Sequence, residues 1–490
     1  MYQLIGTSIV IIYAALLFAV YRVSRKRTDR DSLQSFIFVD QKAPPYLLAP
    51  SIFCSWVWPT TIIGAAEAGI RYGLSGGVAY ALGAGIGFLM MTMMLAAFHK
   101  LMPGVPFITE FVGKRFSEKA RTIYFILVVL IAIYIIVEMA AGIGFVLSGL
   151  FGISFKMVTF FSVMIAVSFI ILSGTRGLLY NDLLNFFIIA ITFGAIAFLI
   201  LSKYDITYLY RGLLDVSSNP GNNNYNPDIF NYFAAGGLRY FLAAVIVGFA
   251  QTCIDPAYSL RAYIAPDEKS FVRSFILGGV VLFMPVAMIS SVILGYTVLA
   301  LNFELDGIIN LSTVISSKMF LEQFPLWVSV LFAFMMFAIT MTTILSSLMG
   351  IMGIAAFDIY TERIVSRAEE KGKLIFGRVF TVLIGLICAL IGISLEKISL
   401  LTLDTFCGIL FAAPCGVLVM GLLSRKPFGN LSVIAIILGA GAGFFVWLLL
   451  ADSKSDWFFG TLLSFCGPML FLWVAGKFTK QKFNMISLRW

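Results

Sequence analysis

Only one histidine, His99, occurs among 490 residues. A Ser-His-Asp triad or a histidine-bound metal therefore has almost no material to be built from. Cysteine is scarce as well. Cys54, Cys253, Cys388, Cys407, Cys415 and Cys466 all fall inside apolar stretches. They lack metal spacing and paired loops, so they read as small packing residues rather than a disulfide framework. Charge is the third shortage: Asp, Glu, Lys and Arg make up 12% of the chain against 60% hydrophobic residues, and the mean hydropathy is +0.98. Such a composition argues against a water-soluble enzyme and for a polytopic membrane protein.

Hydrocarbon offers no partner for a bare backbone group, so spanning segments must be helices or a closed barrel. Apolar runs of about 20 residues without period-2 alternation select helices. The expected fold class is all-α, with about thirteen transmembrane helices between residues 3 and 476. The N-terminal run has no basic residue before it and "RVSRKR" after it, so it is expected to be retained as a span rather than cleaved. With the N-terminus outside, 26 of the 34 Lys and Arg fall in inner segments, which sets the C-terminus in the cytoplasm. The net charge of +9 is then an orientation signal and needs no nucleic-acid partner. A multi-pass protein of the plasma (inner) membrane is expected. The outer loop 203–237, with "SSNPGNNNYNPD", reads as a flexible cover, and the inner loop 358–373 as a short surface helix.

Two apolar helices are interrupted. "CSWVWPTT" (54–61) and "QTCIDPAYS" (251–259) carry Pro59 and Pro256 at membrane depth. Proline removes a donor and frees carbonyls one turn back. Such carbonyls are tolerated only where protein, water or an ion satisfies them. The two interruptions lie five spans apart, an odd number, so the segments that begin with them have opposite orientation. Paired interruptions in inverted repeats point to a transporter's binding site. Carbonyls from Cys54 to Val57 can coordinate a cation, Trp56 and Trp58 offer flat walls, and Thr61 can satisfy freed groups or a solute. The ninth span, "ITMTTILSSLMG", adds the hydroxyls of Thr340, Thr342, Thr343, Ser346 and Ser347. A plainer reading of these is helix glue, each bonding a carbonyl of its own helix.

At these residues the chain resembles the sodium:solute symporter family, of the leucine-transporter-like five-plus-five inverted-repeat fold. "SWVWPTTIIGAAEAGIRYGLSGGVAYALGAG" and "CIDPAYSLRAYIAPDEKSFVRSFILGG" are similar to its urea-active (urea/polyamine) branch, and "LSSLMGIMGIAAFDIY" matches the family's serine-rich helix. The resemblance implies a sodium site at the carbonyls of Cys54 and Val57 and the hydroxyls of Thr342 and Thr343, with Thr340 one turn away. A second cation position of some members maps, through "SGTRGLLYND", to Asp182 and Ser346. Leu345 stands where another serine of that position would be, so Asp182 can serve instead as a proton relay. Pro256, Ser259 and Leu260 also depart from the branch's pattern, so the substrate can differ from urea.

Acids inside a membrane need a reason, since each costs about 2.5–3.5 kcal/mol on insertion scales. Glu67 and Arg71 have the spacing of a helix-face pair. Glu138, with no charged residue within a turn, is a candidate solute ligand, as are Tyr80, Gln251, Asp255 and Asp404. Arg176 and Arg261 are expected to anchor at the cytoplasmic face. The expected organisation is an extra helix and basic loop (1–45), repeat one (46–202), an outer loop (203–237), repeat two (238–423) and two further helices (424–490). The expected function is a secondary active symporter drawing a small polar organic solute inward with sodium, working in the bilayer without a cofactor; a monomer suffices. Proton coupling through Asp182 and Glu138, or an uncoupled facilitator or channel, are the alternatives. A membrane sensor would need an attached signalling domain, which the short tail after the last span is not expected to supply.

Overall fold

Backbone groups buried among apolar side chains must find partners within their own segment, and the computed structural model accordingly builds its long segments as helices. Described are residues 1–303, 305, 315–364, 369–398, 400–450 and 456–488. In chain order the principal helices are α1 (Tyr2–Ser24), α2 (Pro45–Trp56), α3 (Pro59–Leu101), α4 (Glu118–Phe151) and α5 (Phe155–Lys203). There follow α6 (Ile206–Ser218), α7 (Ala235–Ile254), α8 (Pro256–Tyr263), α9 (Glu268–Ala300) and α10 (Leu326–Ile354). The chain closes with α11 (Glu370–Gly392), α12 (Leu400–Leu423), α13 (Leu431–Leu449) and α14 (Asp456–Lys477).

Eleven helices of the described residues are long and apolar enough to cross a membrane. Two of the eleven are too long for one crossing. At 1.5 Å per residue, the 43 residues of α3 and 49 of α5 would each extend about twice the hydrocarbon thickness. Both change direction at a glycine. Gly73 and Gly174 each take φ +63, and a Cβ there would come within 2.3 Å of the Ile229 carbonyl oxygen and 2.6 Å of that of Phe36. Only glycine accepts such a conformation and such an approach together.

Burial ranks the helices. The most apolar window of α10 is 83% buried, against 22% for α1 and 28% for α13. The helix rich in hydroxyls is thus the centre of the molecule, and the terminal helices form its rim. The cover over residues 203–237 is more structured than expected. It contains α6, and the Ile229 carbonyl accepts the Leu74 N–H at 2.8 Å beside the Gly73 break. Its asparagines hold the turns: Asn222 donates to Asp215 at 2.7 Å, and the Asn226 side chain accepts the Asp228 N–H at 3.1 Å. Of the surface helix expected at 358–373, residues 365–368 lie outside the described residues. Before them, α10 continues in π-helical turns over Ala355–Ile364.

Candidate functional site

The first interruption is where the sequence puts it. Helix α2 ends at Trp56, Val57 and Trp58 are extended (ψ 105 and 167), and α3 starts at Pro59. In an unbroken helix the Trp58 N–H would bond the Cys54 carbonyl. Here it donates to the Thr61 hydroxyl at 3.0 Å instead. Pro59 has no N–H for the Ser55 carbonyl, and the Trp58 indole (2.7 Å) and the Tyr258 hydroxyl (3.1 Å) take its place. Cys54 keeps a freed carbonyl, and the hydroxyl that reaches it comes from the central helix: Thr342 Oγ1 lies 3.1 Å away.

The central helix carries further hydroxyls beside Thr342 in the chain. Thr342 and Thr343 hydroxyls also bond the Ile339 carbonyl at 2.9 and 3.2 Å, the local glue that hydroxyls supply in membrane helices. Thr340 Oγ1 and Ser347 Oγ are buried without a hydrogen-bond partner among the described residues. A hard, all-oxygen donor set with an orphaned hydroxyl nearby is chemically suited to an alkali cation, and unwound carbonyls are its usual companions.

The second interruption falls at Asp255, between α7 and α8. Its carboxylate accepts the Ala257 N–H at 2.8 Å and so caps α8. Asp255 is buried but does not line the cavity described below.

Arg261 corrects an expectation. It does not anchor at a membrane face: it is 1% exposed, on α8, one and a half turns beyond the second interruption. Its guanidinium donates to Asp182 Oδ2 at 3.2 Å, Ser346 Oγ at 2.7 Å and Ser51 Oγ at 2.9 Å. Ser51 in turn donates to Asp182 Oδ2 at 2.5 Å. Asp182 and Ser346, singled out for a second cation or a proton, are thus brought together with a built-in cation between them. The reason is distance in the chain: beyond the break at Asp255, α8 packs against α10 and brings Arg261 to partners that local pattern does not reveal.

On the other side of the first interruption lies a cavity of about 60 Å³. Of the eight residues expected to meet solute, Trp56, Trp58, Thr61, Tyr80, Gln251 and Asp404 line it. Tyr240 and Trp457 complete the wall and were not anticipated, because α14 approaches α7 only in the folded molecule; their rings lie 5.3 Å apart. Asp404 Oδ1 accepts the Tyr134 hydroxyl at 2.8 Å and the Gln251 amide at 3.0 Å. Glu138 stands one turn from Tyr134 on α4 and is 1% exposed, with the Tyr134 side chain as its polar neighbour. Tyr134 carried one signal: it precedes Glu138 by four residues and therefore shares its face.

A model of the sodium:solute symporter family matches residues 40–438. The chain belongs to that family. This family member is 20% identical over 477 residues to the urea-proton symporter DUR3 of Oryza sativa subsp. japonica, covering 92% of this chain and 66% of that one. It is also 20% identical over 454 residues to the urea active transporter of Saccharomyces cerevisiae, covering 89% and 62%. The chain thus spans about two thirds of the length of the curated relatives it matches. Among solved structures, a Na⁺-coupled sialic acid symporter in its substrate-bound outward-open state superposes with TM-score 0.79 at 15% identity, covering 98% of this chain and 99% of that one. The nucleobase-cation-symport transporter Mhp1 superposes with TM-score 0.54 at 14% identity, covering 92% and 96%. These likenesses show the fold, the leucine-transporter-like arrangement expected from the sequence. The family consists of membrane transporters, not enzymes.

Proposed function

We propose that this protein is a secondary active symporter that couples inward sodium movement to uptake of a small polar organic solute, urea-, polyamine- or amino-acid-like, by alternating access. The supporting observation is the 3.1 Å contact between Thr342 Oγ1 and the Cys54 carbonyl across the helix interruption. It joins a freed carbonyl to a hydroxyl of the central helix, and the carbonyl of Val57 and the hydroxyls of Thr343 and Thr340 complete the sodium ligand set in this reading. The solute cavity begins at the same interruption, so ion and solute each preorganise the segment the other uses. By linkage, sodium then raises solute affinity as much as solute raises sodium affinity, by about 1–3 kcal/mol in typical cases. One bundle would rock against a scaffold around this midplane site, with the N-terminus outside.

Solute uptake into proteoliposomes tests the reading. An inward sodium gradient should drive it, and replacing Thr342 and Thr343 together by Ala should abolish the dependence. Uptake driven by a proton gradient and indifferent to sodium would overturn sodium coupling. A second reading, proton coupling through Asp182 or Glu138, draws support from the buried acids and from the name of the rice relative, a urea-proton symporter. Uncoupled flux along the solute's own gradient would indicate a facilitator or channel.

A further inference from the structure

We infer that the solute is a compact organic monocation, of the guanidinium or small-amine class, rather than neutral urea. The inference deepens the symporter reading and rests on it. Charge carries it first. Asp404 lines the cavity, and no Lys, Arg or His does so among the described residues. Arg261, the buried basic side chain of α8, is committed to Asp182 and is not part of this wall.

The walls point the same way. Trp56, Trp58, Tyr80, Tyr240 and Trp457 surround the space, and the faces of such rings attract cations. Trp56 and Trp58 meet edge to face with centroids 5.9 Å apart, so they form a corner rather than a flat slot. The Trp56 indole N–H is buried without a hydrogen-bond partner among the described residues and is a donor a carbonyl oxygen would suit. The acid of the wall is the Asp404 carboxylate. An ionised carboxylate without a counter-charge is costly in a dry interior, and a bound cation removes that cost.

Size limits the class. A cavity of about 60 Å³ holds roughly four to six water-sized positions. That favours a solute of few heavy atoms, such as guanidinium or a methylated relative.

Urea and guanidinium have the same planar shape and differ in charge, which makes them a matched pair of probes. In proteoliposomes with an inward sodium gradient, labelled guanidinium should enter faster than urea at equal concentration. Asp404→Asn should lower guanidinium uptake by about tenfold or more, the size of one lost charge-assisted contact. Asp404→Glu, which keeps the charge, should restore much of it. Thermal stabilisation of each variant by sodium alone reports that the fold and the ion site survive. If Asp404→Asn does not fold, competition between the two probes in the unaltered protein decides the matter. Sodium-driven urea uptake that guanidinium neither matches nor inhibits would overturn the inference and leave the symporter reading intact. Guanidinium uptake that ignores sodium would do the reverse.

Discussion

Arg261 and Asp182 form an ion pair of 3.2 Å in which the side chains are 2% and 0% exposed. The pair links α8 to α5, and through Ser51 and Ser346 it also holds α2 and α10. Four helices, including α2 before the first interruption and α8 after the second, therefore share one guanidinium.

Removing one member of this pair leaves the other charged and unpaired in a dry interior. Arg261→Met or Asp182→Asn alone should destabilise the protein by about 3–5 kcal/mol. The double variant should recover much of the loss. Thermal unfolding of the purified protein in detergent checks both expectations.

The oxygen cluster at Cys54 and Thr342 predicts stabilisation by sodium and not by potassium. At a sodium concentration about 100 times its Kd, binding adds about 2.7 kcal/mol to stability. Thr342→Ala should abolish the shift, and Thr342→Ser, which keeps the oxygen, should preserve it. A sodium titration of the melting temperature reads this directly.

Pro59 denies the Ser55 carbonyl a backbone donor, and the Trp58 indole and Tyr258 hydroxyl serve it instead. In Pro59→Ala a new N–H competes with both and favours winding the interruption shut. The sodium concentration for half-maximal uptake should rise by about tenfold, a change of about 1.4 kcal/mol. Stability should hold or improve, since an unstrained helix replaces a broken one. Uptake against sodium concentration, alongside thermal unfolding, separates the two effects.

Gly73 combines a positive φ with backbone 2.3 Å from where a Cβ would sit. Gly73→Ala should cost at least about 1–3 kcal/mol. Gly104 has φ +89 but nothing within 4 Å, so Gly104→Ala isolates the conformational part and should cost less. Comparing the two melting temperatures tests whether the contact with Ile229 matters.

Amino-acid pattern alone determined that the chain is helical, that it lives in a bilayer and that two helices break at Pro59 and Pro256. These follow from local chemistry: apolar runs must satisfy their own backbone, and proline cannot. The same local logic marked Trp56, Trp58, Thr61, Tyr80, Gln251 and Asp404, which meet in one cavity. Tertiary structure alone decided the rest. It brought Thr342 to Cys54 across 288 positions, and Arg261 to Asp182 across 79. It also supplied Tyr240 and Trp457 to the cavity wall. Which distant polar groups meet depends on helix packing angles and on where the chain turns at Gly73, Gly174 and Asp255. A buried charge can be recognised in a sequence as needing a partner, but its partner is chosen only when the helices close around it.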